Sequence, residues 1–305
     1  MTRNYLTVDD ITADELTALL DRADEHRRDR RPGDALAGRS VGLIFEKPST
    51  RTRVSFEVAV AELGGTPVVL SSRDLQLGRG ETVSDTARVL SRYLHALVVR
   101  TFAQERLEEL AAAGSIPVIN ALSDTSHPCQ VLADLQTIRA RLGHLPGVRL
   151  AYVGDGNNVA HSLLRACALA GMHITVITPA GYEPDDAVVA GAGATAERTG
   201  GSVAVTTDPG VGVKDAQVVY TDVWASMGQE GQHGARVARF EPYQVNAELV
   251  AQAADPIILH CLPAHRGEEI TGYVIDGPRS AVWDQAENRL HEQKALLELL
   301  LAGAA

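Results

Sequence analysis

Short apolar runs alternate with helical patterns through the first half of the chain. The run 41–45 is of strand type, and Val54, Val58 and Ala61 then recur at helical spacing before Gly64. The alternation continues with predicted strands 67–70, 97–100 and 116–119 and predicted helices 51–63, 82–94 and 105–113. Strand and helix in turn are typical of a doubly wound parallel sheet.

A second series of the same kind fills the rest of the chain. Predicted strands cover 148–153, 173–177, 203–206, 218–221 and 257–259, with helix-compatible segments between them. The predicted helix 128–142, followed by Pro146 and Gly147, separates the two series. We therefore predict an α/β fold of two doubly wound parallel-sheet domains linked by helices, the first over 1–142 and the second over 143–284.

Composition narrows the class of protein. The 305 residues are 45% hydrophobic and carry a net charge of -11, so we expect no general affinity for nucleic acid or an anionic membrane. No apolar run approaches the ~20 residues of a membrane span, and residues 1–10 lack a signal-peptide core, which predicts a cytoplasmic protein. Three widely spaced cysteines indicate neither a disulfide framework nor a zinc pair.

Two arginines and three hydroxyls lie between the first predicted strand and its helix, at Ser49, Thr50, Arg51, Thr52 and Arg53. Ser49 or Thr50 is the predicted N-cap, so the first turn of the helix offers N–H groups and the positive end of its dipole. The guanidinium forks of Arg51 and Arg53 suit a phosphate or a carboxylate. A capped helix with solvated arginines is the alternative interpretation of this segment taken alone.

Further polar segments follow two other predicted strands of the same series. Arg100 and Thr101 end one strand, and residues 120–127 follow the next. Ligands of doubly wound sheets bind at the carboxyl ends of the strands. These segments and residues 49–53 are therefore expected to converge on one crevice.

The loop 154–158 follows a strand and precedes a helix, so it invites comparison with a dinucleotide fingerprint. Val159 replaces the third glycine of that fingerprint, and Thr178 and Pro179 stand where an acidic ribose ligand is expected. An NAD-dependent oxidoreductase therefore remains only a remote alternative. Asn157 fits the N-cap of the following helix.

Four motifs stand in one order along the chain. They are Ser-Thr-Arg-Thr-Arg at 49–53, His-Pro-Cys-Gln at 127–130, Asp-Val-Trp-Ala-Ser-Met-Gly at 222–228 and His-Cys-Leu-Pro-Ala at 260–264. In these motifs the chain resembles the carbamoyltransferases, and among them those that act on ornithine. The Ser-Met-Gly triplet distinguishes the ornithine enzymes from those that act on aspartate. The resemblance implies that the final helix, 285–305, returns to pack on the first domain. We expect neither a cofactor nor a metal.

The resemblance also implies the residues around carbamoyl phosphate. Thr52, Arg100 and His127 would contact the carbonyl oxygen, while Gln130 and the backbone carbonyls at 261–262 would hold the carbamoyl amine. The full implied set is Ser49, Thr50, Arg51, Thr52, Gln76, Arg100, His127, Pro128, Cys129, Gln130, Cys261, Leu262 and Arg289. The implied catalytic residues are Arg100, His127 and Cys261.

The amino-acid site is implied in the same way. Asp222 would pair with the α-ammonium of L-ornithine, and Asn158, Ser226 and the backbone of Met227 would bind its remaining main-chain groups. Cys261 would approach the δ-amine, whose pKa near ~10.4 means that the site must bind or generate the neutral form. The expected products are L-citrulline and phosphate, in arginine biosynthesis because that is the commoner role.

Gln76 matches a residue that in relatives reaches a neighbouring subunit's site, which implies a homotrimer or a multiple of trimers. The loop after it, at 79–81, departs from the pattern of some relatives, so its contacts stay open. Two further alternatives remain. One is a protein that binds carbamoyl phosphate without turnover, and the other is a transferase for another amine, such as putrescine or an acylated ornithine.

Overall fold

A computed structural model of the chain describes residues 2–71, 80–225, 231 and 233–301. The chain forms two compact units. Residues up to Ala133 together with those from Asn288 onward form the first unit, and Asp134–Glu287 form the second. The domain boundaries placed at residues 142 and 284 remain a prediction.

Four parallel strands form the sheet of the first unit, in the order β2-β1-β3-β4. They are β1 (Ser40–Phe45), β2 (Thr66–Ser71), β3 (Ala96–Arg100) and β4 (Val118–Leu122). The helices are α1 (Ala13–Arg28), α2 (Arg51–Glu62), α3 (Val83–Leu90), α4 (Gln104–Ala113) and the beginning of α5 (Pro128–Leu142). Because the strand order reverses between β1 and β3, the chain leaves these neighbours in different directions and opens a crevice at their carboxyl ends.

The apolar runs of the first unit become strands because helices cover both faces of the central pair. Val41, Leu43 and Ile44 of β1 are buried, and so is every residue of β3. Near-continuous burial of this kind is typical of parallel sheets. The edge strand β2 is only partly buried, since it has one neighbour. The alternation predicted for this half of the chain is therefore confirmed.

Five parallel strands form the sheet of the second unit, in the order β7-β6-β5-β8-β9. They are β5 (Arg149–Val153), β6 (His173–Ile177), β7 (Ser202–Thr206), β8 (Val218–Thr221) and β9 (Ile257–His260). The helices are α6 (Asn158–Leu169), α7 (Asp186–Thr199), α8 (Pro209–Val213), α9 (His233–Phe240), α10 (Ala247–Val250) and α11 (Gly272–Ile275). Here the order reverses between β5 and β8, which places the second crevice after these two strands.

The last helix, α12 (Val282–Leu301), carries the chain back to the first unit. Within that unit Glu298 accepts from Nε of Arg22 at 2.5 Å, and Lys294 lies 3.2 Å from a carboxylate oxygen of Glu62. The return of the C-terminal helix is therefore confirmed. Among the described residues, the longest helices are too short or too polar to cross a membrane.

Candidate active site

The turn after β1 leads into α2 and presents the first candidate phosphate ligands. Thr50 occupies the N-cap position, as predicted, but its hydroxyl makes no capping hydrogen bond within the described residues. The Thr50 hydroxyl therefore does not accept from the N–H groups of the first turn. The helix dipole adds partial positive charge at the same place. Ser49, Thr50 and Arg51 stand at the start of α2 and are at least partly exposed, a position suited to an anion.

Thr52 and Arg53 face different environments although they are neighbours. Thr52 is buried, whereas Arg53 is exposed and its Nε donates to Glu57 at 2.7 Å, one turn along the helix. Successive helical residues lie ~100° apart, so the two side chains cannot share one face. Arg53 is the solvated arginine of the alternative interpretation, and Thr52 belongs to a buried cluster.

Arg289 of α12 joins residues from two other helices of the first unit. Its Nη1 donates to Oε1 of Gln130 at 2.7 Å, and its Nη2 donates to Oγ1 of Thr52 at 3.2 Å. All three side chains are buried. A guanidinium carries five donors in a planar fork, so Arg289 can hold both partners at once.

Arg100 ends β3 at a point where the pairing with β4 is irregular. Val99 lies opposite Asn120, but Arg100 lies opposite Leu122. A bulge of this kind bends a strand and re-aims the side chain beside it. His127 immediately precedes α5, and both Arg100 and His127 are buried. The sequence pattern gives no signal for this bulge.

Burial lowers the pKa of His127 well below its usual value, and the positive charges of Arg289, Arg100 and Arg51 lower it further. The imidazole is therefore neutral near pH 7 and has one ring N–H to donate. Hydrogen bonds join Thr52, Gln130 and Arg289, and the charges of Arg289 and Arg100 act on the buried His127. We group these five residues as the cationic cluster of the first unit.

Asp222 follows β8 and is the centre of the second candidate site. Its Oδ1 accepts from the thiol of Cys261, with a sulfur–oxygen distance of 2.8 Å, and from the N–H of Val223 at 2.8 Å. Its Oδ2 accepts from Nδ2 of Asn157 at 3.0 Å. An ionised carboxylate has about four lone-pair sites, so Asp222 retains capacity for an ammonium group.

Asn157 performs two tasks that hold Asp222 in place. Its Oδ1 accepts from the N–H groups of Val159 at 2.9 Å and Ala160 at 3.2 Å, which confirms the predicted N-cap of α6. Its amide nitrogen is then directed at Asp222. The bond between Asn157 and Asp222 was missed at the level of sequence, where Asn158 was the residue expected to bind substrate. Asn158 is the first residue of α6 and is largely buried.

A buried chain of hydrogen bonds supports the backbone next to Cys261. The N–H of Leu262 donates to Nδ1 of His260 at 2.9 Å, so the ring proton must be on Nε2, which lies 3.1 Å from Oε1 of Glu269. Glu269 also accepts from the N–H of His265 at 2.5 Å. Leu262 has a φ of 57°, a conformation that costs a branched residue energy and needs such support.

Several predicted site residues have other surroundings or fall outside the description. Cys129 is buried, its thiol lies 3.3 Å from the carbonyl oxygen of Asn120, and burial raises its pKa to about 12, so it is not a reactive thiol. Pro128 begins α5. Gln76, Ser226 and Met227 lie outside the described residues.

The loop considered for dinucleotide binding is packed against its own chain. A Cβ on Gly156 would lie 2.3 Å from the backbone nitrogen of Pro184 and 2.6 Å from the carbonyl oxygen of Tyr182. The N–H of Gly156 donates to that same oxygen at 2.9 Å. A glycine is needed at this position because the protein's own backbone approaches it closely. The glycine is therefore no argument for a pyrophosphate site.

Two groups of side chains have metal-ligand composition within the described residues. Asp222, His260 and Cys261 form one, and His265, Glu268 and Glu269 form the other, each with candidate ligand atoms within 4.8 Å of one another. In the first group the Cys261 thiol donates to Asp222 and Nδ1 of His260 accepts from Leu262. We assign these atoms to the hydrogen-bond network.

A cationic cluster at the reversal point of one parallel sheet and a carboxylate–thiol cluster at that of another are the two substrate sites expected of a group transferase. Two family models match the chain: the aspartate/ornithine carbamoyltransferase carbamoyl-P binding domain matches residues 3–140, and the Asp/Orn binding domain of the same family matches residues 146–300, a range that includes Arg289. The chain belongs to the aspartate/ornithine carbamoyltransferase family.

Individual relatives are similar over the whole chain. An ornithine carbamoyltransferase from Acidothermus cellulolyticus is 60% identical, over 100% of this chain and 98% of its own. A relative from Pyrococcus furiosus named as an anabolic ornithine carbamoyltransferase is 53% identical, over 99% of this chain and 97% of its own. The solved structure of ornithine carbamoyltransferase from Pyrococcus furiosus has a TM-score of 0.95 at 52% identity and covers 99% of this chain and 98% of that one.

Proposed function

We propose that the protein transfers the carbamoyl group of carbamoyl phosphate to the δ-amine of L-ornithine and releases L-citrulline and phosphate. The observation that carries the proposal is the cationic cluster of the first unit. Arg289 bonds to Gln130 and Thr52 there, and burial together with the charges of Arg289, Arg100 and Arg51 lowers the pKa of His127. Such a cluster suits a dianionic phosphate whose neighbouring carbonyl gains negative charge during the reaction.

The neutral His127 suits the role of a hydrogen-bond donor to the carbonyl oxygen. As the amine attacks, the trigonal carbon becomes tetrahedral and the oxygen gains charge. A donor already oriented toward that oxygen stabilises the transition state more than the ground state, and losing one such donor costs about 10²-fold to 10³-fold in rate. Arg100 and Thr52 are the further donors in this proposal, and Ser49, Thr50 and Arg51 hold the phosphate with the N-terminus of α2.

Asp222 and Cys261 serve the second substrate in the proposal. Ornithine's δ-ammonium has a pKa near ~10.4 in water, so only about one molecule in 10³ to 10⁴ is neutral at pH 7. The site must therefore select or generate the neutral amine. The contact between the Cys261 thiol and Asp222 supports a role for both near the amino groups. Asn158, Ser226 and Met227 complete the proposed amino-acid site, and no metal or organic cofactor takes part.

We also propose a homotrimer or a multiple of trimers. The first unit exposes several large apolar side chains, among them Val54, Val89, Tyr93 and Phe102, which suit burial against another copy. Light scattering coupled to size-exclusion chromatography measures this directly, and a monomer at micromolar concentration would remove the proposal. Cytoplasmic location and a role in arginine biosynthesis complete it, and the anabolic relative from Pyrococcus furiosus supports the biosynthetic role.

The test is citrulline production from carbamoyl phosphate and L-ornithine, with putrescine, N-acetylornithine and aspartate as parallel acceptors. We expect turnover with ornithine alone, because putrescine lacks the α-carboxylate, acetylation removes the charge of the α-ammonium, and aspartate lacks the side-chain amine. Arg51→Ala should lose most of the activity. A ureido product from another amine would overturn the assigned substrate, and no product from any amine would favour a protein that binds carbamoyl phosphate without turnover.

A further inference from the structure

Two oppositely charged residues, Glu46 and Lys47, stand between β1 and the phosphate motif. Lys47 is only 4% exposed, which is unusual for a lysine unless it is paired. Its ammonium forms an ion pair with Asp124 and lies 4.4 Å from the centroid of the Phe102 ring, close enough for a cation–π contact. The proposed transfer reaction gives neither Glu46 nor Lys47 a part in the chemistry.

Glu46 connects the end of β1 to the end of β3. Its carboxylate accepts from the Thr101 hydroxyl and from the guanidinium of Arg106. Its own N–H donates to the carbonyl oxygen of Arg100 at 2.9 Å. Two of these bonds lie at Arg100 and Thr101, beside the irregular pairing of β3 with β4.

Lys47 connects the same turn to the segments after β3 and β4. Phe102 stands two residues beyond Arg100, and Asp124 stands three residues before His127. The segment that holds Asp124 is itself closed by a hydrogen bond from the N–H of Ser123 to the carbonyl oxygen of Ser126 at 2.8 Å. A shift of Lys47 would therefore move the supports of both Arg100 and His127.

We propose that Glu46 and Lys47 are positioning residues. They brace the segments after β1, β3 and β4 against one another. The phosphate ligands after β1 then stand in one fixed arrangement with Arg100 and His127. That the phosphate belongs to carbamoyl phosphate rests on the proposed function. Donors accelerate a reaction only if they are oriented beforehand, and a misplacement of about 1 Å can cost ~10²-fold. The pairs need no contact with the substrate to have this effect.

The rival explanation is that the buried ammonium of Lys47 attracts the anionic substrate directly. The two explanations differ in what Asp124 does. In a brace, Asp124 is the partner that holds Lys47, so its loss harms the site as the loss of Lys47 does. In direct attraction, Asp124 neutralises part of the Lys47 charge, so its removal leaves substrate binding unchanged or strengthens it.

The experiment compares Lys47→Met, Asp124→Asn and Glu46→Gln with the wild type in steady-state kinetics and in calorimetric titration with inorganic phosphate. We expect each variant to lower kcat/KM for carbamoyl phosphate by roughly 10-fold to 100-fold, with a much smaller change in the KM for ornithine. Phosphate should bind more weakly to Asp124→Asn as well. Phosphate binding that is unchanged or tighter in Asp124→Asn, together with unchanged kcat/KM, would overturn the brace.

A conservative variant and a variant with the two charges exchanged distinguish loss of the brace from loss of folding. Lys47→Arg should retain activity within about threefold, because the guanidinium can pair with Asp124 and stack on Phe102. Lys47→Glu combined with Asp124→Lys should recover part of the activity that either change alone removes, with circular dichroism as the check on folding. Arg279→Met, which removes an exposed ion pair with Asp255 of 2.7 Å in the second unit, is the matched control and should change neither kinetics nor phosphate binding. No recovery in the exchanged pair, combined with an inactive Lys47→Arg, would also overturn the proposal.

Failure of the brace and failure of the proposed function give different results. A wild-type protein that forms no citrulline contradicts the function. The phosphate titration still compares Lys47→Met with Asp124→Asn in that case, because it requires only an anion site. Normal turnover in the wild type with unaffected Asp124→Asn contradicts the brace alone.

Discussion

The first unit gathers positive charge around the start of a helix, whereas the second gathers hydrogen-bond donors around one carboxylate. In the first, burial and the charges of Arg289, Arg100 and Arg51 lower the pKa of His127, so the titratable group is neutral among fixed positive charges. In the second, Cys261, Val223 and Asn157 all donate to Asp222, so the neighbours adapt to the charge. In each sheet, the site at the reversal point of the strand order carries the charge opposite to that of its proposed ligand.

The two clusters also differ in how they are held. Asp222 is fixed by neighbours that follow adjacent parallel strands, β5, β8 and β9. The cationic cluster instead draws on α2, β3, α5 and α12, which are far apart along the chain. Ion pairs lie near both clusters: Lys47 pairs with the exposed Asp124 beside the first, and Asp155 pairs with Arg236 in a buried contact near Asp222.

The largest effect is expected from Arg289→Gln. The change removes a buried charge that bonds to Gln130 and Thr52, and a neutral amide cannot replace the fork. We expect kcat/KM for carbamoyl phosphate to fall by about 10³-fold, while the KM for ornithine changes little. Steady-state kinetics with each substrate varied in turn measure this. Equal losses of kcat/KM for carbamoyl phosphate and for ornithine would contradict the assignment of the two clusters to different substrates.

Asp222→Asn is expected to have the mirror effect. Losing the carboxylate removes the acceptor of the Cys261 thiol and the expected partner of the substrate ammonium, so kcat/KM for ornithine should fall by about 10²-fold or more. Cys261→Ser should lose less, since a hydroxyl can still donate to Asp222. The comparison is contradicted if the KM for carbamoyl phosphate rises more than that for ornithine in either variant.

The pH profile sharpens the assignment of His127. Because its pKa is lowered, the ring should stay neutral well below pH 6.5, and the kcat/KM for carbamoyl phosphate should show no inflection from this residue between pH 6 and pH 8. His127→Asn should be slower by about 10²-fold at every pH in that range. An inflection near pH 6.5 that disappears in His127→Asn would mean that the ring titrates at its ordinary value.

The smallest effect is expected outside both clusters, at Glu298 of α12. Arg22 and His26 bond to its carboxylate, and they hold its pKa at about 2 although burial opposes the shift. A lowered pKa stabilises the fold above pH 4.5, and this stabilisation is lost as the pH falls toward 2. Because its partner Arg22 is 47% exposed and solvent screens that pair, Glu298→Gln should lower the free energy of unfolding by only about 1 kcal/mol at pH 7. Denaturant unfolding at pH 7 and at pH 3 measures the difference, which should shrink at the lower pH; kinetics should be unchanged.

Patterns of short range predicted much of the architecture. The strand runs and the N-cap of α6 at Asn157 follow from burial on both faces of a sheet and from local capping, which depend on nearby residues. The strand order that sets the reversal points was not predicted. The motifs at 49–53 and 260–264 then predicted where polar side chains would lie. The sequence alone could assign Arg53 either to the site or to solvent, and only the rotation of α2 decided it.

Contacts between distant segments could not be predicted in the same way. The bond from Asn157 to Asp222, the tautomer of His260 and the pairing of Lys47 with Asp124 all depend on side-chain directions that no periodicity encodes. The bulge at Arg100 depends on the register of two strands. A sequence does not show whether a lysine such as Lys47 is buried or exposed.

The division of the chain has a consequence for its synthesis. The second unit is one continuous segment, Asp134–Glu287, whereas the first needs both the residues up to Ala133 and those from Asn288 onward. Translation proceeds from the N-terminus, so the first unit is the earliest to begin and the last to be completed. Until α12 leaves the ribosome, the nascent chain lacks Arg289, and the partly built anion cluster has no helix over it. The first unit therefore cannot be completed before α12 has been synthesised and has left the ribosome.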